Sequence, residues 1–178
     1  MELVLDSKTE QSAIAHVAER AGKYLVFGLG REEFGIRVMN VREIMGVQDI
    51  TPVPHTPEYL RGVINLRGKV IPVVDLRVKF GLPAVEHTHL TCIIVVQVLR
   101  EGSPIQMGVL VDGVAEVLTL AAADIEDTPD FGQGVVTSYL LGMAKVKNRV
   151  KILLEINEVL ATPELQPLKL EALSESIQ

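Results

Sequence analysis

The chain has 178 residues, is 48% hydrophobic yet only 4% aromatic with no Trp, and carries a formal net charge of -6. That length allows one large or two small domains around an aliphatic core, and the acidic balance argues against a nonspecific nucleic-acid binder, whose phosphate contacts need clustered Lys and Arg. A single cysteine, Cys92, excludes an internal disulfide framework.

The first ten residues, MELVLDSKTE, lack the basic n-region and apolar h-region of a secretory signal. No apolar run approaches the roughly 20 residues needed to span a bilayer, so a soluble cytoplasmic protein without direct membrane insertion is expected. From Ser7 to Gly22, the residues Ile14, Val17, Ala18 and Ala21 fall at helix spacing, which predicts a partly helical N-terminal arm over residues 1–22.

Beyond Lys23 the texture is that of strands. Tyr24 to Leu29 and Phe34 to Val38 flank a polar turn, a hairpin signal. Val41 to Met45 continues as strand or makes a short helical turn. Thr51 to Pro57 holds three prolines and reads as an extended loop. Tyr59 to Leu76 is a second hairpin around Asn65-Leu66-Arg67-Gly68-Lys69; its Pro72 lacks an N–H and belongs at an edge or unpaired position. Residues 86–89 form a polar joint. Thr91 to Leu99 and Ile105 to Val111 are strong strands, and Cys92 within the first reads as a small buried hydrophobe. Residues 119–138 form a long acidic loop with a helical turn near Ala121 to Ile125. A further hairpin spans Tyr139 to Ile156, and Asn157 to Ala161 suits a short helix. The tail, 163–178, carries Leu165, Leu168, Leu170 and Leu173.

The two hairpins align without a gap. Tyr59 matches Tyr139, Leu60 matches Leu140, Gly62 matches Gly142, Val70 matches Val150 and Asp75 matches Glu155. The repeat extends backwards: Phe34-Gly35-Ile36 with Val41 and Glu43 matches Met107-Gly108-Val109 with Val114 and Glu116. Gly35 and Gly108 mark a bulge or a close backbone approach. Short, Gly- and Pro-punctuated strands in two homologous sets predict an all-β fold of two small barrels packed as a pseudo-repeat, with short peripheral helices. The first barrel is placed at about 23–84 and the second at about 90–162, with strands at the ends of each half free to be exchanged.

Enzyme signatures are missing. There is no phosphate loop, Gly28-Leu29-Gly30 lacks a third glycine, and no Ser sits in a nucleophile elbow. His87 and His89 could begin a zinc site, but no other ligand set is in view. No cofactor or metal is expected. Recognition remains. Val41 and Glu43 sit on alternate positions, as do Val114 and Glu116, so each pair is expected to share a strand face; core valines beside surface glutamates are the equally good reading. Arg67 is either a solvated turn charge or a forked clamp for a partner's carboxylate or carbonyl.

The stretches Tyr24-Leu25-Val26-Phe27, Phe34-Gly35-Ile36, Val41-Arg42-Glu43-Ile44, Arg61-Gly62-Val63-Ile64-Asn65-Leu66-Arg67-Gly68, Ile71-Pro72-Val73-Val74-Asp75-Leu76 and Val111-Asp112-Gly113-Val114 closely resemble the CheW family of bacterial chemotaxis coupling proteins. The resemblance runs in order over about residues 22–161. It implies two SH3-like five-stranded β barrels over 23–162. It implies a non-enzymatic adaptor joining the regulatory domain of the histidine kinase CheA to the cytoplasmic tips of transmembrane chemoreceptors, within membrane receptor arrays. By position, Val41, Glu43, Gly62 and Arg67 match family positions linked to receptor or kinase coupling, and Val114 and Val117 match the receptor-facing side of the second barrel. An adaptor for pili, gliding or development shares the same pattern. A small-molecule-binding barrel is the contrasting class, and no motif supports it.

Overall fold

The computed structural model describes residues 20–161. The N-terminal helix expected from Ser7 and the tail after Pro163 lie outside these residues. Strands β1 (Gly22–Leu29) and β2 (Glu32–Arg37) form the first hairpin, and a 3-10 turn leads into β3 (Val41–Gly46). The proline loop precedes β4 (Leu60–Leu66) and β5 (Lys69–Asp75), followed by the one-turn helix α1 (Leu76–Lys79). Then come β6 (Cys92–Arg100), β7 (Ser103–Val111), β8 (Gly113–Leu120), the two-residue β9 (Ile125–Glu126), β10 (Leu140–Val146), β11 (Arg149–Leu154) and α2 (Ile156–Ala161).

These strands make two sheets, as the all-β expectation requires. One has the order β8-β1-β2-β11-β10-β9 and the other β3-β6-β7-β5-β4. The contiguous division at 23–84 and 90–162 is not followed. Each half lends its first hairpin to the other half's sheet: β1-β2 sits among β8 to β11, and β6-β7 among β3 to β5. The exchange is made by two parallel ladders. Phe34, Gly35 and Ile36 pair with Ile152, Leu153 and Leu154, while Val73, Val74 and Asp75 pair with Gly108, Val109 and Leu110. Pro72 lies one residue before that second ladder begins, where no N–H to β7 is needed.

The repeat therefore appears twice in space, related by reciprocal exchange. Gly35 and Gly108 occupy equivalent places in it. A Cβ on Gly35 would lie 2.9 Å from Leu153 Cδ2, and one on Gly108 2.9 Å from Ile93 Cγ2. Close packing, rather than unusual backbone, reserves both positions for glycine.

The exchange also explains the continuous apolar run of β6. Ile93 and Val95 join Ile64, Leu66, Ile71, Val73 and Leu110 in a core on one side of their sheet. Cys92, Ile94, Val96 and Val98 face the other way, into a large core shared with Leu25, Phe27, Leu29, Phe34 and Ile36 of the partner sheet. Tyr24, Leu120, Ile125, Leu141, Ala144 and Leu153 form a third core, on the far side of that partner sheet. Both faces of each sheet are thus buried at the centre, so these strands lack simple alternation. Within the shared core, Phe27, Phe34, Phe80 and Tyr139 form a chain of ring contacts with centroids 5.7–6.1 Å apart.

The helices are pinned by homologous carboxylates. Asp75 caps α1, accepting from the Arg77 and Val78 amides at 3.0 and 3.4 Å, and Glu155 accepts from the Asn157 amide ahead of α2 at 3.4 Å. Arg61 donates twice to the buried Asp75 carboxylate, from Nε at 3.0 Å and Nη2 at 2.9 Å.

Candidate functional site

The residues singled out from the sequence fall on three elements: edge strand β3, the β4-β5 hairpin and edge strand β8. β3 and β8 stand at the ends of their sheets, each hydrogen-bonded to one neighbour, so each leaves an unpaired strand edge.

On β3 the expected sharing of a face by Val41 and Glu43 is overturned. Val41 pairs with Val96 and Glu43 with Val95, a register shift that leaves Arg42 as an extra bulge residue. Val41 consequently packs on the shared core with Val96, whereas Glu43 lies on the face of Val95 and Met45. Strand β8 repeats the device. Phe27 pairs with Val114 and Val26 with Glu116, so Ala115 is the bulge and Val114 and Glu116 point to opposite faces. The same bulge puts Val117, opposite Leu25, on the face of Val114. Both valines are exposed, Val117 at 55%. Ile44, the counterpart of Val117 in the first copy, is 46% exposed on β3 and was not singled out from the sequence. Aligning Val41 with Val114 at a fixed offset is enough to find it.

Glu43 and Arg67 come together. The tight turn between β4 and β5 places Arg67 at φ 48° and Gly68 at φ 85°, the left-handed pair of a two-residue hairpin, and the Gly68 amide donates to Asn65 Oδ1 at 2.8 Å. From that tip the Arg67 guanidinium donates to both carboxylate oxygens of Glu43, at 3.1 and 2.6 Å. The fork holds the Glu43 carboxyl below its ordinary pKa, chiefly through these hydrogen bonds, and raises that of Arg67. Arg67 is exposed on its outer side, 73% for the side chain against 28% for Glu43. The pair can present one planar cation edge to a partner, already oriented, on the rim of its sheet.

Gly62 does not belong to an exposed surface. It is buried, at φ 141°, in a bulge of β4, and a Cβ there would overlap the Thr51 carbonyl oxygen, which accepts the Val63 amide at 2.9 Å. Gly142 repeats this against the Glu126 carbonyl oxygen at 2.6 Å. The role of Gly62 is to let two backbones touch.

Other charged groups are structural. Lys79 is buried with Nζ 4.1 Å from the Tyr59 ring centroid; burial, then repulsion by Arg100, lowers its pKa to about 8. His87 and His89 are exposed in the segment between α1 and β6. Among the described residues no cluster of His, Cys, Asp and Glu could hold a metal ion, and no helix is long and apolar enough to cross a membrane.

Fold and site define a two-sheet β module whose exposed features are edge strands and a charged hairpin tip, surfaces suited to other proteins. Comparison with known proteins agrees. The family model for the CheW-like domain matches residues 23–164. The chain is 38% identical to the chemotaxis protein CheW of Klebsiella aerogenes over 159 residues, covering 86% of this chain and 93% of that one. It is 37% identical to CheW of Rhizobium meliloti over 153 residues, 86% and 96% of the two chains. The crystal structure of the scaffolding protein TtCheW from Thermoanaerobacter tengcongensis superposes with a TM-score of 0.70 at 32% identity, covering 84% of this chain and 97% of that one. The chain belongs to the CheW family of chemotaxis scaffold and adaptor proteins.

Proposed function

We propose that the protein is a non-catalytic coupling adaptor, binding the regulatory domain of the histidine kinase CheA and the cytoplasmic tip of chemoreceptors in membrane-associated arrays. The supporting observation is the exposed pair Val114 and Val117 on the edge strand β8. Two apolar side chains held on one face by a bulge, in a chain of this family, suit the apolar flank of a helical hairpin better than solvent. The oriented Arg67–Glu43 fork gives a second, polar anchor. Val41 contributes from the rim of the shared core, and Gly62 acts only through the backbone of β4.

Titration calorimetry of the full chain with the kinase regulatory domain, and separately with a receptor-tip fragment, tests the reading. Saturable binding of both is expected, with no turnover of any substrate. Binding of neither overturns it.

A further inference from the structure

The pseudo-repeat makes two strand ends equivalent, and only one of them carries a carboxylate. In the second copy β8 runs alongside β1 as far as Gly28, which lies opposite Gly113. Asp112, one residue earlier, continues the line. Its amide donates to the Gly28 carbonyl at 3.1 Å, and its carboxylate accepts the Gly30 amide at 2.7 Å and Arg77 Nη1 at 2.6 Å. Strand edge, anion and cation are all matched there.

In the first copy the counterparts of Gly28, Gly30 and Asp112 are Gln97, Leu99 and Met39, by the same offsets that align Val26 with Val95 and Gly35 with Gly108. Here β3 starts late. Its ladder with β6 begins at Val41 opposite Val96, because the 3-10 turn Val38–Asn40 carries the chain aside. Residues 97–100 of β6 therefore have no strand on that side among the described residues. Side chains stand in for one. Asn40 Nδ2 donates to the Gln97 carbonyl at 3.3 Å, and Asn157 Oδ1 accepts the Leu99 amide at 2.9 Å. Met39, in the place of Asp112, is 72% exposed, and Leu99 is 62% exposed.

The result is an open groove of about 510 Å³, lined by Arg37, Met39, Arg42, Val98, Leu99 and Asn157. Its cations are weakly matched. Arg37 Nη1 stands 3.8 Å from Glu155, too far for a hydrogen bond, and Arg37 Nε is buried with no partner among the described residues. The Tyr24 hydroxyl, which Arg37 also meets, is neutral. Arg42 is exposed and donates from Nε to the neutral Gln97 side-chain oxygen at 3.0 Å. Glu155 and Glu158 line the groove too, but Glu155 Oε1 already accepts the Asn157 amide and Nδ2, at 3.4 and 3.1 Å. An anion is therefore favoured where Arg37 and Arg42 stand and not beside α2. We propose that this groove takes an extended, acidic segment of a partner protein, added along residues 97–100 of β6. An Asp or Glu of the segment accepts from Arg37 and Arg42, as Asp112 accepts from Arg77 in the other copy. An apolar residue two places on covers Met39 and Leu99, and the segment's backbone replaces the Asn40 and Asn157 bonds to β6. None of Glu43, Arg67, Val114 and Val117 lines the groove, so this surface is separate from the one proposed for coupling.

The test is NMR titration of the full chain with pools of acetylated, amidated hexapeptides. Each pool fixes Asp, Asn or Lys at one position and Leu two residues on, with the other positions mixed. The Asp pool is expected to shift the Leu99 amide and the Asn40 and Asn157 side-chain amides saturably, while the Val114 and Val117 amides stay in place. Asn or Lys in place of Asp is expected to weaken binding about tenfold. Arg42→Glu, an exposed change, is expected to reverse the order and make the Lys pool the tighter one. No shift of these groups with any pool, equal shifts with all three, or an order unchanged in Arg42→Glu overturns the proposal. The same shifts on concentrating the chain without peptide overturn it in favour of a second copy in the groove.

Discussion

Arg67 and Glu43, on different elements, act as one group. The fork of 3.1 and 2.6 Å ties the β4-β5 tip to edge strand β3. Removing either partner therefore changes the same surface. Glu43→Gln and Arg67→Gln are each expected to weaken adaptor binding of the kinase domain or receptor tip. The double variant is expected to be no weaker than the worse single one, measured as a double-mutant cycle by calorimetry. Additive losses would show that the two residues contact partners separately.

The fork also has a pH signature. Glu43 has a folded pKa below its ordinary 4.5, so its stabilising pairing is complete above that value and is lost as pH falls through the depressed folded pKa. Side-chain carboxyl titration by NMR is expected to return Glu43 to its ordinary range in Arg67→Gln. A Glu43 pKa unmoved by that change would mean the pair is not formed in solution.

Gly62 and Gly68 stand six residues apart in one hairpin and should respond differently to alanine. At Gly62 both φ 141° and the Thr51 carbonyl oppose a Cβ, and the obstacle is backbone that cannot swing aside. Gly62→Ala is expected to cost about 3 kcal/mol or more. At Gly68 φ is 85° with nothing within 4 Å, so Gly68→Ala is expected to cost about 1 kcal/mol, the left-handed backbone penalty alone. Urea unfolding of the two variants measures the difference; equal losses would contradict the close approach.

Much of this was legible in the residues, and the misses have physical causes. Alternation and turn chemistry give the hairpins, and α2 matches the short helix expected at Asn157 to Ala161. The exchange of hairpins is hidden because Phe34 to Ile36 and Ile152 to Leu154 are buried on either assignment; only the parallel ladder between them decides. The bulges at Arg42 and Ala115 are hidden for another reason. An extra residue reverses the facing of everything beyond it, yet leaves no mark in composition, which is why Val41 and Glu43 read as one face. Gly62 matched the family pattern, but its repetition as Gly142 already pointed to the shared backbone. Arg67, not repeated at Lys147, was the better guide to the surface.

Lys79 gives a pH effect of the same sign in a much higher window. Its folded pKa of about 8 lies below the ordinary 10.5, so below pH 8 both states carry the proton and the folded state bears the full cost of a buried charge. Between about pH 8 and 10.5 the folded lysine is neutral while the unfolded one is still charged, and stability rises with pH. Tyr139, pushed up to about 12 by burial, opposes this above pH 10. The difference in stability between the natural chain and Lys79→Met isolates the lysine. It is expected to change between pH 8 and 10 and to be flat between pH 6 and 7.5. A difference curve flat throughout would show that Lys79 titrates normally.

Arg77 joins four segments at once. It reaches Asp112 at 2.6 Å and the Pro83 carbonyl at 3.1 Å, and through Asp112 it secures the amide of Gly30 in the β1-β2 turn. Its side chain is 13% exposed and that of Asp112 31%, so the pair is partly screened and less costly to break than a fully buried one. Arg77→Met keeps the bulk and removes the donors. It is expected to destabilise the chain by about 2 kcal/mol, because Asp112 is left with a half-buried charge and one fewer donor. Local loosening should exceed that global loss. With the Pro83 carbonyl released, the exposed segment between α1 and β6 becomes the first site of cleavage in limited proteolysis. Asn157→Ala, at the equivalent place in α2, removes the acceptor of the Leu99 amide and a donor to Glu155 Oε1, and should leave that segment as resistant as before. If both variants are nicked there equally, Arg77 does not tether the segment.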